Sequence, residues 1–129
     1  MDLNPDTLAF AAQRIARHAP KTCRRNVLEP IAFSGEGFDS VGVNYLLHCL
    51  PGSLAEKAVV FDHLKALMNP GAVIFGSALA RGLMAAYNRK GIFSNREDDL
   101  ETLQHEPGQR FREVSVEVLG CAALFSGRA

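Results

Sequence analysis

An α/β domain with a mostly parallel sheet and a C-terminal antiparallel hairpin is the fold class that this 129-residue sequence predicts. Three observations carry it. The stretch Ala72–Ser77, AVIFGS, is nearly all apolar, as in a strand covered on both faces. Helical and strand patterns alternate along most of the chain, the order that builds a parallel sheet. Near the end, Glu113-Val114-Ser115-Val116-Glu117-Val118 alternates polar and apolar, and Cys121–Phe125 follows after Gly120 as the second arm of a hairpin.

Asn4-Pro5-Asp6-Thr7 is a helix start: Asn caps free N–H groups, and Pro at the first helical position has no N–H to leave unpaired. The helix is expected over Pro5–His18, with Leu8, Ala11, Ala12 and Ile15 on one face and Pro20 beyond its end. Thr22–Leu28 reads as a short strand, and Pro30 with Gly35-Glu36-Gly37 as a loop. Phe38–Asn44, FDSVGVN, is the next strand, with β-branched Val41 and Val43. Ser53-Leu54-Ala55-Glu56 is a capping box, in which Ser53 takes a free N–H and Glu56 reaches back. Ala58, Phe61, Leu64 and Leu67 form the apolar stripe of that helix, which Asn69-Pro70-Gly71 ends. After AVIFGS a helix is expected over Leu79–Asn88. Another is expected from Asn95, with Leu100 and Leu103 inward and a break at Pro107-Gly108.

The apolar fraction of 47% is that of a globular chain, and residues 1–129 read as a single domain without linker or repeat. Fourteen basic and fourteen acidic residues cancel, with no basic cluster, which argues against nucleic-acid binding by phosphate neutralisation. The apolar run Ala72–Ala80 falls far short of the ~20 residues of a membrane span. The first residues lack the charged start and apolar stretch of a signal peptide. Cys23, Cys49 and Cys121 are odd in number and widely spaced. They read as reduced, mostly buried thiols of a cytoplasmic protein, with neither a disulfide framework nor a zinc site expected.

In an open α/β sheet, ligands gather at the carboxyl ends of the strands. That rule selects Asp2-Leu3, Asn26-Val27, Asn44-Tyr45 with the following LLHC, and Ser77. A carboxylate at a strand end can accept from two vicinal hydroxyls, as in ribose binding. Asp2 ahead of Asn-Pro also reads as a turn or cap residue, and Asn26 as a strand-end turn residue. His48 is the one histidine near the predicted strand ends and so the candidate general base, although such a histidine is more commonly a structural hydrogen-bonder. Cys49 beside it has no third partner, and packing is the simpler reading. Arg89-Lys90 suit a helix C-terminus, and Glu97-Asp98-Asp99 a helix start; no metal site is expected from them.

The segments DLNPDTLAFAAQRIA, NVLEP, FDSVGVNYLLHCLPG, LMNPGAVIFGS and FREVSVEVLGCAALF, in that order, resemble the class I S-adenosylmethionine-dependent methyltransferases. FDSVGVNYLLHCLPG and YNRKGIFSN are similar to segments of a bacterial small-molecule subgroup. The resemblance covers nearly the whole chain. It implies a Rossmann-like fold with strand order 3-2-1-4-5-7-6, S-adenosylmethionine as methyl donor and a small-molecule acceptor. It also implies that Asp2 holds the ribose hydroxyls, Leu3 packs on adenine, and Asn26 and Val27 meet the adenine edge. Asn44 and Tyr45 would lie beside the methionine portion and the sulfonium.

The resemblance begins at the end of the family's second strand, and no Gly-x-Gly-x-Gly occurs in the sequence. The implied domain is therefore N-terminally truncated, lacking its first two strands and glycine loop, with weak or no cofactor binding expected. Thr22–Leu28 is expected either to close directly on Phe38–Asn44 or to leave an edge covered by another chain, a second copy or a complementing polypeptide. A non-catalytic remnant that associates through that edge, or one half of a split enzyme, stands as the alternative function.

Overall fold

The structure is a computed structural model, and it describes residues 1–79 and 100–129. Helix α1 spans Pro5–Arg14, and the Asn4 side chain accepts from the N–H groups of Asp6 and Thr7. It is shorter than expected: a 3-10 turn over Ala16–His18 follows, and Ala19 turns the chain away with φ 47°. Strand β1 is Phe38–Asn44, and a 3-10 turn Leu47–Cys49 comes soon after it. Helices α2, Leu54–Lys57, and α3, Val59–Lys65, divide the single helix expected here, and both halves of the Ser53–Glu56 capping box are formed. Strand β2 is Met68–Leu79, helix α4 is Leu100–Gly108, and strands β3, Arg112–Leu119, and β4, Ala122–Arg128, complete the described elements.

The sheet order is β1-β2-β4-β3, with β1 parallel to β2 and the other pairs antiparallel. These strands match the last four places, 4-5-7-6, of the order implied by the resemblance. Among the described residues, the first three places are represented only by a parallel bridge between Asp2 and Arg24. The expected strand Thr22–Leu28 is thus not formed, and it does not close on β1. A strand exists through its ladder, and the backbone that runs beside this segment is Asp2. Its two bonds are long: Asp2 N–H to the Cys23 carbonyl at 3.4 Å and Arg25 N–H to the Asp2 carbonyl at 3.3 Å.

Strand β2 starts earlier than expected, so Asn69-Pro70-Gly71 lies inside it rather than in a turn. The pairing Phe38↔Met68 is followed by a register irregularity before Ser40↔Val73, which takes up Pro70 and the left-handed Gly71. The remainder of the expected Leu79–Asn88 helix, YNRKGIFSN, Arg89-Lys90, the Asn95 helix start and Glu97-Asp98-Asp99 lie outside the described residues. Helix α4 ends at Gly108, as expected from Pro107-Gly108, with Pro107 buried in its last turn.

One sheet face makes the core. Val43, Ile74, Ala78, Ala123 and Phe125 form one buried cluster with Val60, Phe61 and Leu64 of α3, Leu103 of α4, and Phe111. Phe61 meets Phe111 and Phe125 edge-on, with centroids 6.3 and 6.0 Å apart. Gly76 permits the close approach of β1, since a Cβ there would run into the Val43 carbonyl oxygen and the Phe125 ring. Arg110 joins α3 to α4 through Asp62 at 2.8 Å and Glu106 at 2.9 Å. Burial works against its charge, but those two acids outweigh it and hold the guanidinium above its ordinary pKa. All three cysteines are exposed, contrary to the burial expected of them. Cys49 lies in the 3-10 turn after β1, Cys121 in the turn between β3 and β4, and Cys23 in irregular chain next to Arg24.

Candidate functional site

One side of the site is built on the parallel ladder. Asn44, the last residue of β1, stands opposite Ser77 of β2. The Ser77 hydroxyl donates to Asn44 Oδ1 at 3.1 Å, and the Tyr45 N–H donates to the Ser77 carbonyl at 2.8 Å. Tyr45 adopts φ 53°, in the left-handed region. For a residue with a Cβ this costs about 1–2 kcal/mol, and such strain clusters at functional sites. The ring is not held there by burial, being 48% exposed. His48 is buried in the following 3-10 turn, its ring edge-on to Tyr45 with centroids 5.8 Å apart.

The other side comes from the N-terminal segment. Arg24 Nε–H donates to the Leu3 carbonyl at 2.9 Å, which reinforces the Asp2–Arg24 bridge. Asp2 Oδ1 accepts from the Asn4 N–H at 2.8 Å, ahead of the helix cap. Leu3 is 53% exposed, an apolar surface beside that carboxylate. Asn26 heads a turn: its Oδ1 accepts from the Leu28 N–H at 3.1 Å, and its Nδ2 donates to Glu29 Oε1 at 3.0 Å. Val27 is 8% exposed and belongs to the core cluster. The turn roles considered for Asp2 and Asn26 are therefore both present in the structure.

The Cys49 thiol is pushed above its ordinary pKa first by partial burial and then by the Asp2 carboxylate, with Lys57 opposing. The Asp2 charge is the lesser of the two effects that raise it, and Cys49 itself lies in the 3-10 turn that follows β1. The same shift makes Cys49 a poor nucleophile, because the thiolate is the reactive form. Its Sγ donates to the Tyr45 carbonyl at 3.4 Å. Sequence reasoning assigned nothing to His63, yet its Nδ1 lies 2.9 Å from the Val27 carbonyl. No sequence signal joins these two, which are 36 residues apart. Among the described residues no group of His, Cys, Asp and Glu could hold a metal ion, and no helix is long and apolar enough to cross a membrane.

No family model matches the sequence. The chain is 39% identical over 135 residues to demethylluteothin O-methyltransferase of Streptomyces thioluteus, covering 97% of this chain and 59% of that protein. It is 33% identical over 138 residues to the putative uncharacterized protein YbcY of Escherichia coli K12, covering 98% and 71%. In fold it is similar to an O-methyltransferase family protein of Burkholderia thailandensis, with TM-score 0.79, 20% identity, and coverage of 98% of this chain and 42% of that one. A second similar structure is the N-methyltransferase NodS of Bradyrhizobium japonicum in complex with S-adenosyl-l-homocysteine, with TM-score 0.67, 18% identity and coverage of 98% and 63%. The chain thus spans about 59% of the length of its Streptomyces relative.

Proposed function

The chain belongs to the class I S-adenosylmethionine-dependent methyltransferases, and from that premise we propose that it serves methyl transfer to a small molecule, with its own residues forming the nucleoside end of the donor site. The observation that carries this reading is the parallel bridge of Asp2 with Arg24, which brings the Asp2–Leu3 segment beside the chain leading to Asn26. The residues fit a nucleoside: an acid for vicinal hydroxyls, exposed Leu3 beside it for a ring face, and the Asn26 amide two residues beyond the bridge partner Arg24.

The donor supplies a methyl group on a sulfonium that is already activated to leave. The protein's task is therefore alignment and exclusion of water. Asp2 holds the ribose hydroxyls, Leu3 covers one adenine face, and Asn26 and Val27 line the adenine edge. Asn44, held by Ser77, and the strained Tyr45 face the methionine portion. His48 takes the proton of an oxygen or nitrogen acceptor. On this reading these 129 residues, which contain no Gly-x-Gly-x-Gly, supply only the nucleoside end of the site, and weak donor binding is expected of them when tested alone.

A calorimetric titration with S-adenosylmethionine tests the reading. Wild type is expected to bind more weakly than micromolar, and Asp2→Ala to bind at least tenfold more weakly again. Equal affinity of the two proteins would overturn the ribose role of Asp2, and micromolar binding by wild type would overturn the weakness.

A second reading is favoured by one observation: among the described residues β1 pairs on one side only, and Asp39 is the single charge along it. Edge strands so lightly guarded associate. On this reading the chain is an interaction protein, or half of a split methyltransferase, joined through β1 by a second copy or a complementing chain. Sedimentation that gives a monomer at all concentrations would exclude the second copy.

A further inference from the structure

We propose that His63 is a positioning residue for the adenine side of the site, acting on Asn26 through a single peptide plane. The inference rests on the nucleoside reading above and adds a residue that reading does not contain.

The Asn26–Glu29 turn has no ladder to fix it. The Val27 side chain anchors it in the core, and the Glu29 N–H closes it onto the Asn26 carbonyl at 3.2 Å. Neither contact engages the carbonyl or the N–H of the Val27–Leu28 peptide unit. The Val27 carbonyl and the Leu28 N–H belong to one peptide unit, which is planar. A tie at one end therefore sets the direction of the other. At the carbonyl end is His63 Nδ1, 2.9 Å away on helix α3. At the amide end is Asn26 Oδ1, which accepts from Leu28 N–H at 3.1 Å.

A carbonyl can only accept, so His63 Nδ1 carries the hydrogen, and both the neutral Nδ1–H tautomer and the imidazolium satisfy the contact. The path runs from α3, whose Val60, Phe61 and Leu64 are buried in the core, through the imidazole and the peptide plane to the Asn26 amide. A side chain on the rim is thereby referenced to the rigid layer beneath the sheet rather than to its own loop. Binding groups need this kind of support from behind.

Two variants separate positioning from packing. His63→Phe keeps a ring and removes the donor; His63→Asn places a donor nitrogen where Nδ1 lies. Each is followed by the hydrogen exchange of the Leu28 amide, the side-chain amide resonances of Asn26, and an NMR titration with adenosine into the millimolar range. His63→Phe is expected to speed Leu28 exchange and weaken adenosine binding roughly three- to tenfold, the worth of one hydrogen bond. It should also shift the Asn26 resonances, and His63→Asn should restore all three readouts. Wild-type values in His63→Phe, or equal losses in both variants, would overturn the positioning role while leaving the nucleoside site standing. Absence of adenosine binding by wild type would overturn both. If His63→Phe does not fold, His63→Gln replaces it, with its donor set beyond the reach of Nδ1, and the same outcomes decide.

Discussion

On the Asn44–Tyr45 side, the candidate site grows out of consecutive pairs of a parallel ladder, Ser40↔Val73 to Asn44↔Ser77, lying on a core that includes Val43 and Ile74. On the Asp2–Asn26 side, it hangs on one bridge, two hydrogen bonds longer than 3.2 Å and a set of side-chain contacts. The first side is placed by cooperative structure, which lets it hold Tyr45 in a costly backbone conformation. The second is placed by local chemistry. A ligand that spans both would therefore be met by one preformed wall and one that binding itself must steady, which lowers affinity by the cost of ordering.

Hydrogen exchange gives the largest contrast. The amides of Ile74 and Phe75, in the interior strand β2, should exchange only on global unfolding, a cost of about 5–15 kcal/mol, and those of Asp2 and Arg25 through local opening near zero cost. Equal protection on the two sides would abolish the distinction. Next comes Phe61→Ala, which removes a fully buried ring between Phe111 and Phe125 and should cost about 3–5 kcal/mol by denaturant titration. A loss under 1 kcal/mol would show that the core does not rest on that ring.

Tyr45→Gly should raise stability by about 1 kcal/mol at most, since release of the left-handed strain is partly offset by the extra chain entropy glycine loses on folding and by the lost contact with His48. The same variant should lose affinity for S-adenosylhomocysteine. A destabilised Tyr45→Gly would mean that the conformation is held for folding rather than for binding. Ser53→Ala should cost about 1 kcal/mol as a lost cap. The smallest effect concerns pH. Hydrogen bonds from the Ser53 backbone and then its hydroxyl lower the Glu56 pKa below 4.5 in the folded protein. A depressed carboxylate stabilises the fold above its unfolded pKa, so the contribution is present above pH 4.5 and disappears as acid titrates through the lowered value. Glu56→Gln should flatten that part of the stability–pH curve; an unchanged curve would remove Glu56 from the cap.

Local chemistry was legible in the sequence wherever it decided the outcome. The Asn4 cap, the Ser53–Glu56 box, the bounds of β1 and the C-terminal hairpin each follow from residues within a few positions of one another. What depended on distant backbone was not legible. Thr22–Leu28 has strand-like residues, but among the described residues its backbone pairs only with Asp2. Asn69-Pro70-Gly71 has turn chemistry, yet the pairing of Phe38 with Met68 draws it into β2. Of the strand ends the sequence singled out, the structure forms the Asn44–Ser77 pair and the Asp2–Arg24 bridge. The turn bonds of Asp2 and Asn26 and the His63 contact needed coordinates, because they depend on peptide orientation and on a helix that crosses behind the loop.

Whether a nucleoside lies across the two sides is tested most directly by intermolecular NOEs from S-adenosyl-l-homocysteine. The predicted result is cross-peaks from the adenine protons to the Leu3 and Val27 methyl groups, and from the methionine-chain protons to the Tyr45 ring, lost together in Asp2→Ala. Cross-peaks to the β3–β4 hairpin instead, or the same pattern undiminished in Asp2→Ala, would contradict it.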